Sequence, residues 1–116
     1  MRVHHLAALA LTAAGLLLGA PSCSLIQSQD DCETSCNLLV SCGVLPPSTT
    51  CGSYCTGMVA LSVVAGCQDQ LDAQNQCAND NGDCTNAALN CNGKVSAFAS
   101  CIDAYCKKTP GASGCP

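Results

Sequence analysis

Thirteen cysteines in a chain of 116 residues constrain the fold of this protein more than any other feature. Twelve of them lie in the stretch from Cys32 to Cys115, and cysteine makes up about 11% of the chain, above the roughly 8–10% typical of disulfide scaffolds. The length allows one domain at most. One Phe, two Tyr and no Trp leave little large apolar surface to bury. We therefore expect a small domain that depends on its disulfide bonds.

The N-terminus has the form of an export signal. A weakly basic start with Arg2, His4 and His5 precedes an uncharged run at residues 6–18 and a small-residue stretch at residues 19–22. An apolar run of 13 residues is short for a membrane span, which takes about 20. The sequence predicts a signal peptide at residues 1–22 that is removed on export to an oxidising compartment.

Cys23 directly follows the predicted cleavage site. The run Ala20-Pro21-Ser22-Cys23 resembles the lipobox of bacterial lipoproteins, whose cysteine becomes the lipidated first residue of the mature chain. The match is partial, because a lipobox usually has Leu at the position of Ala20. The odd number of cysteines supports lipidation, since setting Cys23 aside leaves twelve cysteines that can all pair in disulfides. Ordinary cleavage after Ser22 is the alternative, and it leaves a free or intermolecular Cys23 on a soluble secreted protein.

The resemblance to lipoproteins also implies an arrangement at the membrane. Residues 23–31 would form a short tether to a disulfide-rich domain at residues 32–116, and Ser24, which is not Asp, implies the outer membrane of a bacterium with two membranes. The membrane would then be a partner through the N-terminal lipid.

Apolar spacing in the first half of the domain predicts two helices. The first begins at Asp30 or Asp31 and ends near Gly43 and the two prolines that follow. The second begins near Thr50 and ends at Gly66. Its run at residues 58–64 is the most apolar of the mature chain and extends past the first helix, so either the second half of the domain or a partner must cover it.

The second half of the domain also has a helical pattern. We expect a polar helix at residues 67–77, a turn at residues 79–83, a short helical piece at residues 85–91 and a break at Asn92-Gly93. A last helix begins at Lys94 and ends after Lys107 and Lys108, because the helix dipole favours cations at the C-terminal end. Strand alternation is nowhere sustained, so the predicted class is all-α.

Cysteine spacing suggests two stapled helical hairpins. In the first, two Cys-x3-Cys pairs on single helix faces would join Cys32 to Cys55 and Cys36 to Cys51, with Cys42–Cys51 as a competing pair. In the second, two Cys-x9-Cys pairs would join Cys67 to Cys101 and Cys77 to Cys91. The other four cysteines would tie the hairpins and the tail together. We expect every one of these twelve to be disulfide-bonded: Cys32, Cys36, Cys42, Cys51, Cys55, Cys67, Cys77, Cys84, Cys91, Cys101, Cys106 and Cys115.

The spacing resembles the Cys-x3-Cys helical hairpins of small plant defence peptides and the twin Cys-x9-Cys helical-hairpin proteins. Over its full length the layout looks like the small cysteine-rich lipoproteins of environmental bacteria such as myxobacteria. This likeness implies location and architecture and no activity.

Metal and cofactor sites are not expected. The cysteine pairs are spaced x3 rather than x2, the mature chain has no His, and no Cys-x-x-Cys is present. In the turn at residues 79–83, an EF-hand register on Gly82 would put Cys77 at the first position and Ala88 at the last, where acidic ligands belong.

Catalysis and nucleic-acid binding are not expected either. Ser53 and Ser96 have no histidine to activate them, and Asp69 and Asp72 are interpreted as a solvated helix face. Arg2 belongs to the predicted signal peptide, so the mature chain has three lysines and eight carboxylates and a net charge of −5. Such a charge is unsuited to phosphate binding.

The sequence therefore predicts a non-enzymatic, exported, lipid-anchored module with a structural or binding role at the outer membrane or cell surface. Its protein partner is not identified by any motif. The alternative is a soluble, extracellular effector or hydrolase inhibitor, which would use the loop at residues 43–50 first. Tyr54, Phe98 and Tyr105 are expected in the core.

Overall fold

The computed structural model describes residues 20–116, with side chains from Ser24 onward. This part of the chain forms four helices and no strand: α1 at Ala20–Ser41, α2 at Cys51–Ala65, α3 at Gln68–Asn81 and α4 at Cys84–Lys108. The predicted all-α class is confirmed. Most of the predicted signal peptide and the side chain of Cys23 lie outside the described residues.

Two glycines end helices where the chain reverses direction. Gly66 follows α2 with φ 69° and donates its N–H to the carbonyls of Ser62 and Val63, and Gly82 follows α3 with φ 65° and donates to Ala78. Left-handed backbone disfavours residues with a Cβ, so glycine fits both turns. The expected end of the second helix at Gly66 is confirmed.

Six disulfides connect the helices. They are Cys32–Cys55 and Cys36–Cys51 between α1 and α2 (the first hairpin), Cys67–Cys101 and Cys77–Cys91 linking α4 to α3 and its N-cap residue (the second hairpin), Cys42–Cys84 between the hairpins, and Cys106–Cys115 at the tail. All four pairs suggested by the spacing are present, and the competing Cys42–Cys51 pair is not formed. The remaining four cysteines tie the hairpins together and close the tail.

Half-cystines supply much of the core. Among the described residues, six of the eleven buried apolar residues are cysteines. Val40, Leu45 and Met58 pack around the two bridges of the first hairpin. A second cluster joins α2 to the second hairpin and comprises Val59, Cys67, Leu71 and Phe98. The bridges thus take the place of the large side chains that the sequence lacks.

A polar seam lines the contact between α1 and α3. The Ser28 hydroxyl donates to Asp72 at 2.7 Å, and the Ser35 hydroxyl donates to Asn75 at 2.9 Å. Ser28, Ser35 and Asn75 are all buried. The two hairpins therefore meet through hydrogen bonds as well as through the Cys42–Cys84 bridge, and we call these four residues the polar seam.

α1 begins earlier than the sequence predicts. The expected start at Asp30 or Asp31 is wrong, because residues 24–31 are helical and continuous with the rest of α1. Ser28 is only 2% exposed and lies in the polar seam. The segment predicted as a short tether is therefore part of α1, and Ser28 attaches it to α3.

The turn between α3 and α4 is shorter than predicted. α3 continues to Asn81, and only Gly82 and Asp83 separate it from α4. The Asp83 carboxylate caps α4, since it accepts hydrogen bonds from Asn86 N at 2.9 Å and from Asn86 Nδ2 at 2.6 Å. These bonds, with the backbone bond contributing most, hold the pKa of Asp83 below its ordinary value because they favour the carboxylate.

α4 is one continuous helix, so the predicted break at Asn92-Gly93 is wrong. A glycine inside a helix costs about 1 kcal/mol relative to alanine. Cys91 and Phe98, which lie on either side of the glycine, are both buried, and Cys91 is bridged to α3. These anchors outweigh the weak local preference for a turn.

Candidate functional site

The candidate catalytic side chains are dispersed over the surface. Ser53 is exposed on α2 and Ser96 is exposed on α4. Asp69 is exposed in the first turn of α3, whereas Asp72 is half-buried and accepts the hydrogen bond from Ser28. The interpretation as a solvated face holds for Asp69 but is wrong for Asp72, which has a structural partner.

A polar cleft of about 450 Å³ lies between α1 and α3. Three carboxylates line it, those of Asp31, Asp72 and Asp80, together with serine and amide side chains. Among the residues that the structure describes, no cluster of three or more His, Cys, Asp and Glu side chains is arranged to hold a metal ion.

A second cavity, of about 460 Å³, separates the two hairpins beside the Cys42–Cys84 bridge. Its walls are mostly apolar and include Leu38, Leu39, Leu45 and Val95. Gln74 also lines it, and the Oε1 atom of Gln74 is buried without a hydrogen-bond partner. A mostly apolar cavity lined by a few polar groups is typical of a ligand-binding site. We call this cavity the inter-hairpin groove.

The loop at residues 43–50 is fixed at both ends by disulfides. Cys42 before the loop is bridged to Cys84, and Cys51 after it is bridged to Cys36. Within the loop, Val44 N donates to the Leu39 carbonyl at 2.9 Å, and Val44 is 66% exposed. The loop is a constrained and accessible surface next to the inter-hairpin groove.

An exposed apolar surface lies at the N-terminal end of α1. Leu25 and Ile26 of α1 and Val63 and Val64 of α2 line one open groove and are 36%, 63%, 44% and 64% exposed, respectively. We call these four residues the N-terminal patch. Its residues Leu25 and Ile26 lie on the same helix as position 23, whose lipidation stays a prediction.

The expected burial of the aromatic residues and of residues 58–64 is fulfilled in part. Phe98 is buried at 5% exposure, whereas Tyr54 is 38% exposed and lines the inter-hairpin groove. Val59 packs into the second core cluster, but Val64 stays exposed. The second hairpin therefore covers only part of the apolar run on α2.

The apolar run at residues 58–64 indicated the α2 half of the N-terminal patch, whereas sequence reasoning missed its α1 half and the inter-hairpin groove. Leu25 and Ile26 were the available signal for the N-terminal patch, since two adjacent apolar residues are unusual in a solvated tether. The inter-hairpin groove depends on how the two hairpins meet, and no local pattern records that.

Within residues 20–116, the helices lack the combination of length and apolar character needed to cross a membrane. No protein-family model matches the chain, and comparisons with curated proteins and with solved structures give no significant match.

Proposed function

We propose that the protein is a non-enzymatic, exported, cysteine-rich lipoprotein, held at the outer membrane or cell surface by a lipid on Cys23. The observation that carries the proposal is the disulfide set. Twelve cysteines pair with one another in six bridges, so none of the twelve remains available to Cys23. In an exported protein the thirteenth cysteine needs a separate fate, and lipidation supplies one.

The disulfides also support an extracytoplasmic location. Six disulfides in a small domain indicate an oxidising environment, because thiols stay reduced in the cytosol. A rigid helical module stapled in this way is suited to a structural or binding role at a surface.

Metabolic labelling with a fatty acid tests the lipid directly. Wild-type protein should take up label and sediment with membranes, and Cys23→Ala should take up none. The mass of the N-terminal peptide should show the acyl groups on Cys23. Unlabelled wild-type protein with a free thiol at Cys23 would overturn the proposal.

The second candidate is a soluble secreted effector or hydrolase inhibitor. The clamped loop at residues 43–50 favours it, because a loop held by Cys42 and Cys51 loses little conformational freedom on binding. Release of unmodified protein into the medium would support this candidate. Inhibition of a hydrolase that Val44→Asp weakens at least tenfold, with the disulfides unchanged, would establish it.

A further inference from the structure

We propose that the N-terminal patch is the surface with which the lipid-anchored protein contacts the bilayer, so that the patch orients the whole module. This inference rests on the proposed lipid at Cys23 and adds which side of the domain meets the membrane.

The pairing of α1 with α2 brings position 23 level with the patch. Cys32 is bridged to Cys55 and Cys36 to Cys51, so α1 and α2 are antiparallel. Residues toward the start of α1 therefore lie opposite residues toward the end of α2. Position 23 lies nine residues before Cys32, and Val64 lies nine residues after Cys55. The helical backbone at position 23 is therefore level with Val64 and about one turn from Ile26.

The continuity of α1 favours lipid as the occupant. Leu25 and Ile26 follow the anchor position within one helical turn, and no flexible linker separates them from it. Acyl chains attached at position 23 would hold the bilayer surface beside the patch at all times. Any protein partner would have to compete with a membrane already present at high local concentration.

One lysine at the same end of the bundle agrees with this orientation. Gln68 Nε2 lies 3.4 Å from Ser24 Oγ, so the start of α3 is beside the start of α1. The preceding residue, Cys67, is bridged to Cys101, and from there α4 continues to its two C-terminal lysines, Lys107 and Lys108. Lys107 is paired with Asp103 at 2.7 Å, so Lys108 is the lysine at this end that has no carboxylate partner among the described residues. Phosphate headgroups attract such a cation.

Asp30 limits how deeply this end enters the membrane. It is exposed and lines the same groove as the patch, seven residues from position 23. Seven helical residues span about 10 Å, which matches the depth of about 5–10 Å that interfacial helices reach. The patch would lie at the boundary between headgroups and acyl chains, with the Asp30 carboxylate in water.

Tryptophan fluorescence can test this contact, because the chain contains no native Trp. Ile26→Trp places an indole in the patch, and Val64→Trp repeats the probe from the neighbouring helix. Leu89→Trp is the matched control, since Leu89 is 74% exposed and lies beside Cys91, away from the patch. Each full-length, acylated variant is purified from membranes and reconstituted in phosphatidylcholine–phosphatidylglycerol vesicles with brominated acyl chains.

We expect at least threefold stronger quenching for the indoles at positions 26 and 64 than for the indole at position 89, with blue-shifted emission only for the first two. Equal quenching in acylated protein would overturn the inference and leave the proposed function intact. A blue shift without vesicles that grows with protein concentration would assign the patch to a second copy and overturn it too. Absence of the acyl group would overturn the proposed function and this inference together.

Discussion

The Ser35 hydroxyl links α1 to α3 by donating a hydrogen bond to Asn75 Oδ1 at 2.9 Å, forty residues away in sequence. The same hydroxyl oxygen lies 3.0 Å from the Cys32 carbonyl oxygen, and a hydroxyl has one proton to share between two acceptors. Asn75 is 1% exposed, and its Nδ2 atom has no hydrogen-bond partner. The Ser35–Asn75 pair of the polar seam is therefore buried and only partly satisfied.

Removing the Ser35 hydroxyl should destabilise the domain. Ser35→Ala leaves the buried Asn75 amide without its partner, which should lower the free energy of unfolding by about 1–3 kcal/mol. Adding Asn75→Leu should restore most of the loss, because an apolar pair of similar shape needs no hydrogen bond. Urea unfolding with the disulfides intact measures both changes, and exposed Ser53→Ala is the control. A Ser35→Ala midpoint equal to wild type would show that this bond contributes nothing.

The cysteine pairs of the first hairpin should be recovered intact from the exported protein. Glu33 lies between Cys32 and Cys36, and Tyr54 lies between Cys51 and Cys55, so cleavage after these two residues without reduction separates the half-cystines. Mass spectrometry should then find Cys32–Cys55 and Cys36–Cys51 fragments and no alkylated thiol among the twelve cysteines. A Cys42–Cys51 fragment would contradict this register.

The pairing within the hairpins was predictable because it follows from helical geometry. Residues i and i+4 share a helix face, so two Cys-x3-Cys pairs on antiparallel helices meet in one register. The Gly66 turn was predictable for a similar reason, since glycine after an apolar helical run marks the helix end. Both inferences use only chemistry local to a helix or a turn.

The remaining features depend on partners that are distant in sequence. Ser28 keeps the first turns of α1 on the domain through Asp72, which is 44 residues away, so no local pattern marks that part of α1 as folded. The sequence did show that the apolar run at residues 58–64 of α2 extends beyond the part that the first helix was expected to cover. How the run is divided between the core at Val59 and the exposed patch at Val64 depends on the docking of the second hairpin.

Two glycines flanking the exposed part of α2 should respond to alanine in opposite directions. Gly57 lies within the helix, and an added Cβ would meet no atom within 4 Å, so Gly57→Ala should stabilise the protein by about 0.5–1 kcal/mol. Gly66 has φ 69°, so Gly66→Ala should destabilise it by about 1–2 kcal/mol. Denaturant unfolding of the oxidised protein compares them. Shifts of the same sign would show that backbone conformation does not control these positions.

The Asp83 cap at the start of α4 should make stability depend on pH in the acid range. Hydrogen bonds from Asn86 lower the pKa of Asp83 in the folded protein below the ordinary value of about 3.9 that applies in the unfolded chain. The unfolded state therefore binds the proton more readily. The stabilisation by this carboxylate is fully present above the unfolded pKa and is lost as pH falls through the folded pKa.

Asp83→Asn isolates this effect, because asparagine also caps helices but does not titrate. The free energy of unfolding of wild type minus that of Asp83→Asn should be constant from pH 7 to about pH 5 and should decrease below about pH 4. Subtracting the variant cancels the titration of carboxylates that both proteins share. Denaturant unfolding at a series of pH values measures the difference. A difference that stays flat down to about pH 2 would show that the Asn86 hydrogen bonds do not favour the charged carboxylate.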